Sequence, residues 1–297
     1  MKIYIQTDIE GIAGFVFFEN RKDKSIENHE HRMRMKKLLT NEVNAAVKAS
    51  FDAGASYVVI NDSHGCAYNI LFEELDPRCE IIHGRASSGP HHLTDLDSSF
   101  DTMVLIGMHA MAGEKNAVCP HSKWAVNNGA IYLSEASMTA AIAGDKGVPT
   151  VFISGDQTIT KEVKEKIPKI EIGVVKHSYG PYYARSVMPQ KACEIIYRGV
   201  KRGIINRKKI SPYKIQGRVF LNLLERLNPS IKRKRLKKDV VADTITEAFD
   251  KAVAQFPWTN YGLQKIDGFQ YPSIGYQGNH GKIEDKRKRT LENQEKK

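Results

Sequence analysis

The stretch that decides the fold is KIYIQTDIEG, residues 2–11, in which a short apolar strand runs directly into two carboxylates. Asp8 and Glu10 are two residues apart on an extended segment, so both side chains can leave the same face of the chain. In an open α/β sheet, ligands bind in the crevice beyond the carboxyl ends of the strands. The pattern therefore predicts functional carboxylates at the end of the first strand.

Three more apolar strands are each followed by a potential metal ligand. His64 follows YVVINDS, His109 follows TMVLIGM, and Glu135 follows AIYLS. Singly, each has an ordinary structural explanation, because strand-end carboxylates often cap helices and loop histidines are mostly solvated. Five oxygen and imidazole ligands at four strand ends exceed what capping needs and suit a divalent metal. We predict a site for two metal ions with one bridging carboxylate, which would polarise a carbonyl and activate water.

The first 204 residues alternate strands with helices. This alternation predicts an α/β fold with a mostly parallel sheet flanked by helices, and we expect it to be the catalytic, metal-binding domain. Helical spacing runs from Met33 to Ala55, after a polar loop that carries His29 and His31. A long turn-rich stretch is expected at 109–128.

The regular alternation of strand and helix patterns ends near Lys214. Strand and helix patterns after that point predict a smaller C-terminal α+β domain over residues 205–281, following a basic connector. The last segment, 282–297, is charged and almost free of apolar residues, so we expect a disordered tail.

Composition narrows the class of protein. Hydrophobic residues make up 41% of the 297 residues, which suits a globular enzyme, and no apolar run approaches the roughly eighteen residues that span a bilayer. The four cysteines lie far apart and no small-residue cleavage site follows the first strand, so a cytoplasmic protein is expected. Much of the net charge of +11 falls between Arg198 and Lys238. Such a run is more often a solvated face than a nucleic-acid site, so we do not expect nucleic-acid binding.

At these residues the chain resembles a known family, the DppA-type D-aminopeptidases, which are zinc metallopeptidases. The similarity covers about the first 200 residues, and its ordered motifs are specific. They are TDIEGIAG from Thr7, LTNEVNAAV from Leu39, NDSHG from Asn61, IGMHAMAG from Ile106, HS at His121, SEASMTAAIAG from Ser134, VPTVFISGD from Val148, and VVK ending at Lys176.

The resemblance implies a zinc-dependent aminopeptidase that hydrolyses short peptides from the free N-terminus, including peptides with D-amino acids. It implies two zinc ions per subunit and a homo-oligomer, a decamer of two stacked rings. His121 would be the catalytic residue, acting as nucleophile or base. Lys176 could direct its charge at the substrate, although a lysine is more often exposed at the surface. The implied zinc ligands are Asp8 (bridging), Glu10, His64, His109 and Glu135.

Several positions depart from the family pattern, although none is a ligand position. Ser137 and Thr139 stand where Gly and Asn are usual, and Gln157 stands where a second Asp is common. The stretch from Gly180 to Tyr183 replaces a usual Ser-Arg, and Trp258 replaces a Gly. These departures bear on substrate choice and stereospecificity rather than on the chemistry.

Two other functions fit part of the sequence. A two-metal phosphoesterase or nuclease would use the same ligands together with the basic segment, but a glycine-rich phosphate loop is absent from the sequence. A non-catalytic basic scaffold would bind nucleic acid through Lys232 to Arg235 in a salt-sensitive manner.

Overall fold

A computed structural model of the protein describes residues 1–18, 23, 25–65, 67–84, 93–225, 239–255, 263–266 and 269–272. The predicted tail, Trp258 and the run from Lys232 to Arg235 lie outside the described residues. The elements, in chain order, are β1 (Lys2–Thr7), α1 (Ile26–Asp52), β2 (Tyr57–Asp62), β3 (Glu80–Ile82), β4 (Thr102–Met108), β5 (Lys123–Val126), β6 (Ile131–Leu133), α2 (Glu135–Asp145), β7 (Thr150–Asp156), α3 (Gln157–Lys166), β8 (Glu171–Gly180), β9 (Tyr183–Ser186), α4 (Pro189–Ile205), β10 (Val219–Glu225), β11 (Val240–Ala242), α5 (Ile245–Val253), β12 (Leu263–Ile266) and β13 (Phe269–Pro272).

A seven-stranded sheet in the order β3-β2-β1-β4-β7-β8-β9 forms the centre of the molecule. All neighbouring strands in it are parallel except β9, which pairs antiparallel with β8. Thr7 at the end of β1 pairs with Asp62 of β2 and Ile106 of β4, so these three strands end at one edge. The predicted α/β fold with a mostly parallel sheet is confirmed.

A second, four-stranded antiparallel sheet has the order β11-β10-β5-β6. Strands β5 and β6 come from the first 204 residues and β10 and β11 come from beyond them, while α5 packs against α2. The chain segments on either side of residue 204 thus share one sheet, and the predicted division into two domains stays a prediction.

The structure differs from the sequence expectation in two elements. Helix α1 begins at Ile26, seven residues before the start of its apolar spacing, because the Ser25 side chain caps it by accepting from the Asn28 N–H at 3.2 Å. His29 and His31 therefore lie in the helix and not in a loop. Strand β5 interrupts the expected turn-rich stretch. Its four residues are too few to show a strand periodicity in the sequence, and the strand is defined by its pairing with the distant β10.

Two glycines allow the loop after β1 to lie against the end of β4. The Gly11 N–H donates to the Gly107 carbonyl at 2.8 Å, and a Cβ on Gly11 would collide with the Met108 carbonyl. Gly107 has a φ of +73°, in the left-handed region that favours glycine. This close approach brings the segment after Thr7 beside the segment after Met108. No helix of the described residues has the length and apolar character that crossing a bilayer requires.

Candidate metal centre

The first half of the site consists of three buried side chains beyond the ends of β1 and β2. The Nδ1 of His64 lies 3.0 Å from Asp8 Oδ1 and 3.1 Å from Glu10 Oε2. The turn that carries His64 is fixed by Asn69, whose Nδ2 donates to the His64 carbonyl at 2.6 Å and to Asp62 Oδ1 at 2.8 Å. This half is therefore built from two adjacent strands and a short hydrogen-bonded turn.

The second half brings three side chains together from more distant segments. His109 follows β4 and Glu135 is the first residue of α2, and His109 Nε2 lies 3.6 Å from Glu135 Oε2. The His121 ring stacks on the His109 ring, with centroids 3.6 Å apart and planes at 12°. Strand β6, which leads into α2, belongs to the second sheet and not to the main one. Glu135 thus reaches the site from a different layer than the other strand-end residues.

Asp8 joins the two halves. Its Oδ1 faces His64, and its Oδ2 lies 3.4 Å from His109 Nε2. Ligand atoms of Asp8, Glu10 and His64 lie within 4.8 Å of one another, and the same holds for His109, His121 and Glu135. The geometry offers two adjacent cation positions with Asp8 between them. The five ligands predicted from sequence all lie in this cluster, and His121 joins them.

The donor atoms in this cluster fit bound cations. Glu10 Oε2 and His109 Nε2 are buried and have no hydrogen-bond partner among the described residues. His109 Nδ1 lies 2.9 Å from the Ala110 carbonyl, which can only accept, so Nδ1 carries a proton, and in the neutral imidazole the Nε2 lone pair would face carboxylates. Such an arrangement is unfavourable unless a positive charge lies between these groups.

The pKa values of the metal-free site point the same way. Burial and then the charge of Glu10 raise the pKa of Asp8 to about 7. Burial alone would lower the pKa of His109, but Glu135 and Asp8 raise it to about 10. Burial alone would raise the pKa of Glu10, yet His64 and His121 hold it well below its usual value. In the absence of metal, protons supply the positive charge that the carboxylates require.

His121 is held with one ring nitrogen toward this cluster. Its Nδ1 donates to the Cys119 carbonyl at 2.9 Å, so Nε2 has the free lone pair, and Nε2 lies 3.9 Å from Glu10 Oε1. Burial and then His109 lower the pKa of His121 below its usual value, so the imidazole is neutral at neutral pH. Phe18 packs edge-on against the ring at 5.5 Å. Cys119 and Ser122, on either side, have φ of +46° and +54°, a strained backbone that persists only where surrounding contacts hold it.

Lys176, predicted from sequence as a substrate contact, is buried beneath the first half. Its amine donates to the carbonyls of Glu10, Ile12 and Phe15. All three N–H donors are used in these bonds. Burial lowers the pKa of Lys176 to about 8, although Asp156 and Glu42 oppose that effect. The geometry favours a role in holding the loop that carries Glu10.

Sequence reasoning missed Glu162, which bonds the first turn of α2, the helix that begins with Glu135. Glu162 Oε1 accepts from the hydroxyls of Ser134 at 2.8 Å and Ser137 at 2.9 Å, and both serines form a capping box at the start of α2. The Ser-x-x-Ser spacing signals the cap, but nothing in the sequence signals that α3 places a carboxylate there.

Comparisons with known proteins show which family the chain resembles. The model of a family described as D-aminopeptidase matches residues 1–226. A D-aminopeptidase of Bacillus subtilis is 27% identical over 227 residues, covering 75% of this chain and 81% of the relative. A solved structure, described as the Zn-dependent D-aminopeptidase DppA from Bacillus subtilis, a self-compartmentalizing protease, superposes with a TM-score of 0.74 at 24% identity, covering 86% of this chain and 96% of the other.

The fold and the clustered side chains define an α/β protein with two adjacent groups of potential metal ligands. The family match extends over most of the chain, so the protein belongs to the D-aminopeptidase family of peptidases. Neither alternative raised by the sequence, a phosphoesterase or a basic scaffold, is favoured by this membership.

Proposed function

We propose that the protein is a binuclear zinc aminopeptidase that removes the N-terminal residue of short peptides, including peptides with D-amino acids. The single observation that carries this proposal is the position of Asp8, whose two carboxylate oxygens face the two separate groups of ligand atoms. A carboxylate shared in this way is what a pair of metal ions requires.

Two zinc ions per subunit would be held by side chains of the chemistry that zinc prefers, carboxylate oxygen and imidazole nitrogen. When bound, the metal pair would supply Lewis-acid polarisation of the scissile carbonyl and a water of lowered pKa. The proposed ligands are Asp8 as the bridge, Glu10 and His64 on one side, and His109 and Glu135 on the other.

His121 is proposed as the proton-transfer residue of the reaction. Its Nδ1 proton is held by the Cys119 carbonyl, so Nε2 is the atom that can accept a proton from attacking water and return it to the leaving amine. The lowered pKa of His121 keeps the imidazole neutral and able to accept a proton near pH 7. The stacked His109 ring and the edge of Phe18 restrict the orientation of the ring.

The remaining parts of the proposal concern assembly and location. The solved relative is described as self-compartmentalizing, which supports a homo-oligomer for this chain. A decamer of two stacked rings is the assembly implied by the family resemblance, and the cytoplasm is the expected location. Native mass spectrometry of the purified protein would test the number of subunits.

The proposal is tested by metal analysis followed by a substrate panel. Protein purified without chelator should contain two zinc ions per chain. It should hydrolyse D- or L-dipeptides with a free amine, but neither the same dipeptides after N-acetylation nor a phosphodiester. Hydrolysis of the phosphodiester alone, or equal cleavage of free and acetylated dipeptides, would contradict the assignment.

A further inference from the structure

Gln157, the first residue of α3, holds two separate segments with one side-chain amide. Its Oε1 accepts from the Ser178 N–H at 2.7 Å, and its Nε2 donates to the Ser178 carbonyl at 3.0 Å. The same Nε2 donates to the Asn116 carbonyl at 2.9 Å. The amide therefore bonds both the N–H and the carbonyl of Ser178, as the backbone of a neighbouring strand would. It also bonds the loop at Asn116.

Both segments lead directly to His121. Beyond Ser178, whose hydroxyl donates to the Gly180 carbonyl at 2.9 Å, the hairpin tip presents the Pro181 carbonyl, which accepts from the Cys119 N–H at 2.9 Å. The Cys119 carbonyl accepts the Nδ1 proton of His121. The hairpin contact and the bond that orients the imidazole are thus made by the N–H and the carbonyl of one residue, Cys119.

The loop at 116–119 is also held by the neighbours of Gln157 at the start of α3. Asp156 Oδ2 accepts from the Val118 N–H at 2.9 Å, and Thr158 Oγ1 donates to the Asn116 carbonyl at 2.5 Å. The left-handed backbone at Cys119 is unfavourable by itself, so it persists only where such contacts fix it.

We propose that Gln157 is a positioning residue for His121, clamping the 116–119 loop to the β8–β9 hairpin so that the imidazole Nε2 faces the cluster. The inference rests on the proposed function, because it assigns His121 the proton transfer. Gln157 does not contact the cluster itself. Its effect passes through Asn116, Ser178 and the Cys119 peptide.

The clamp requires a side chain that donates and accepts at the same time. A glutamate at 157 has nearly the same shape and can accept from the Ser178 N–H, but it cannot donate to either carbonyl. A carboxylate in the first turn of a helix is otherwise favoured by the helix dipole. The two effects have opposite signs, so Gln157→Glu distinguishes the clamp from an ordinary helix start.

The experiment compares Q157E with Q190E in the full chain loaded with zinc. Gln190 is exposed and is the second residue of α4, so it undergoes the same chemical change in the first turn of another helix. Q157E should lose about tenfold or more in kcat with KM and zinc content unchanged, because misplacing a catalytic group by 1 Å can cost about a hundredfold. Its Val118 and Cys119 amides should exchange hydrogen faster. Q190E should behave as the wild type.

T158V provides a second, uncharged variant. It removes one donor to Asn116, so it should show a smaller fall in kcat and faster exchange in the same loop. The proposal is overturned if Q157E keeps the kcat of Q190E, or if exchange at 116–122 is unchanged in both variants. If the wild-type protein hydrolyses no peptide, the proposed function fails, and the exchange measurement alone still decides the clamp.

Discussion

The two halves of the candidate metal centre come from different parts of the fold. Asp8, Glu10 and His64 follow adjacent parallel strands of one sheet, and local hydrogen bonds fix their turns. His109 and Glu135 come from two different sheets, and Glu135 reaches the cluster from the start of α2.

The difference shows where each half derives its geometry. Strand pairing aligns the ends of β1 and β2, so the first half follows from the sheet itself. The second half depends on a strained loop at Cys119 and on a helix start supported by Glu162. We therefore expect the second half to be more sensitive to changes at a distance from the ligands.

The largest effect is expected from Asp8→Asn, which removes the charge shared by both halves. Both metal ions should be lost, and kcat/KM should fall by about a thousandfold or more, because the metal pair contributes several kcal/mol to stabilising the transition state.

Glu135→Gln affects the second half alone and should leave one zinc per chain. Metal quantification and dipeptide kinetics measure both results. Full zinc occupancy in the Asp8 variant would contradict the bridging role.

His121→Ala separates catalysis from metal binding. Loss of the proton-transfer group should reduce kcat by about a hundredfold to ten-thousandfold while two zinc ions remain bound. His177→Ala, at an exposed position, serves as the control. A fall in zinc content to one per chain would instead make His121 a metal ligand of the second half. One of its ring nitrogens lies within 4.8 Å of ligand atoms of His109 and Glu135.

Glu162→Gln tests the support beneath Glu135. Both serine hydroxyls donate to Oε1, and a neutral amide oxygen is a weaker acceptor than a carboxylate, so both contacts should weaken and the affinity for the second zinc should drop by about tenfold to a hundredfold. Glu165→Gln on the same helix is 66% exposed and should have no effect. Isothermal titration with zinc reports each site. Weakening of the first site rather than the second would reverse the comparison between the halves.

Lys176→Met tests the corresponding support of the first half. Three carbonyls lose their donor, so the free energy of unfolding should fall by about 1–3 kcal/mol, measured by urea denaturation. Zinc should be lost from the first half before the second. The exposed Lys161→Met provides the baseline. Unchanged stability and an unchanged kcat, together with a raised KM, would restore the substrate contact predicted from sequence.

The last expected effect concerns the pH dependence of zinc binding. The raised pKa values of His109, about 10, and Asp8, about 7, mean that the metal-free site carries protons at pH 7 that zinc must displace. Zinc affinity should therefore rise with pH, by about tenfold per unit for each proton released. The number released should decline as pH rises through 7, where Asp8 loses its proton. Calorimetric titration in buffers of different ionisation enthalpy counts these protons. A zinc affinity that does not change between pH 6 and 8 would contradict the prediction.

Much of the fold could be predicted because parallel strands buried on both faces are short and apolar, and YVVI and TVFI have this character. The candidate ligands at strand ends were visible because they directly follow these apolar strands. Strand β5 and the depth of Lys176 were not visible, because each depends on partners far away in the chain. The start of α1 was missed because its first turns are polar and only the Ser25 cap marks them.

The sequence by itself determined the parallel sheet and the residues that could hold metal, since strand periodicity and residue chemistry are local properties. Only the tertiary structure decided that Asp8 faces both groups, that Glu135 arrives from a second sheet, and that His121 turns its Nε2 inward. The physical reason is that these positions depend on contacts between segments far apart in the chain, such as Asp8 with His109 and Cys119 with Pro181, which no local pattern encodes.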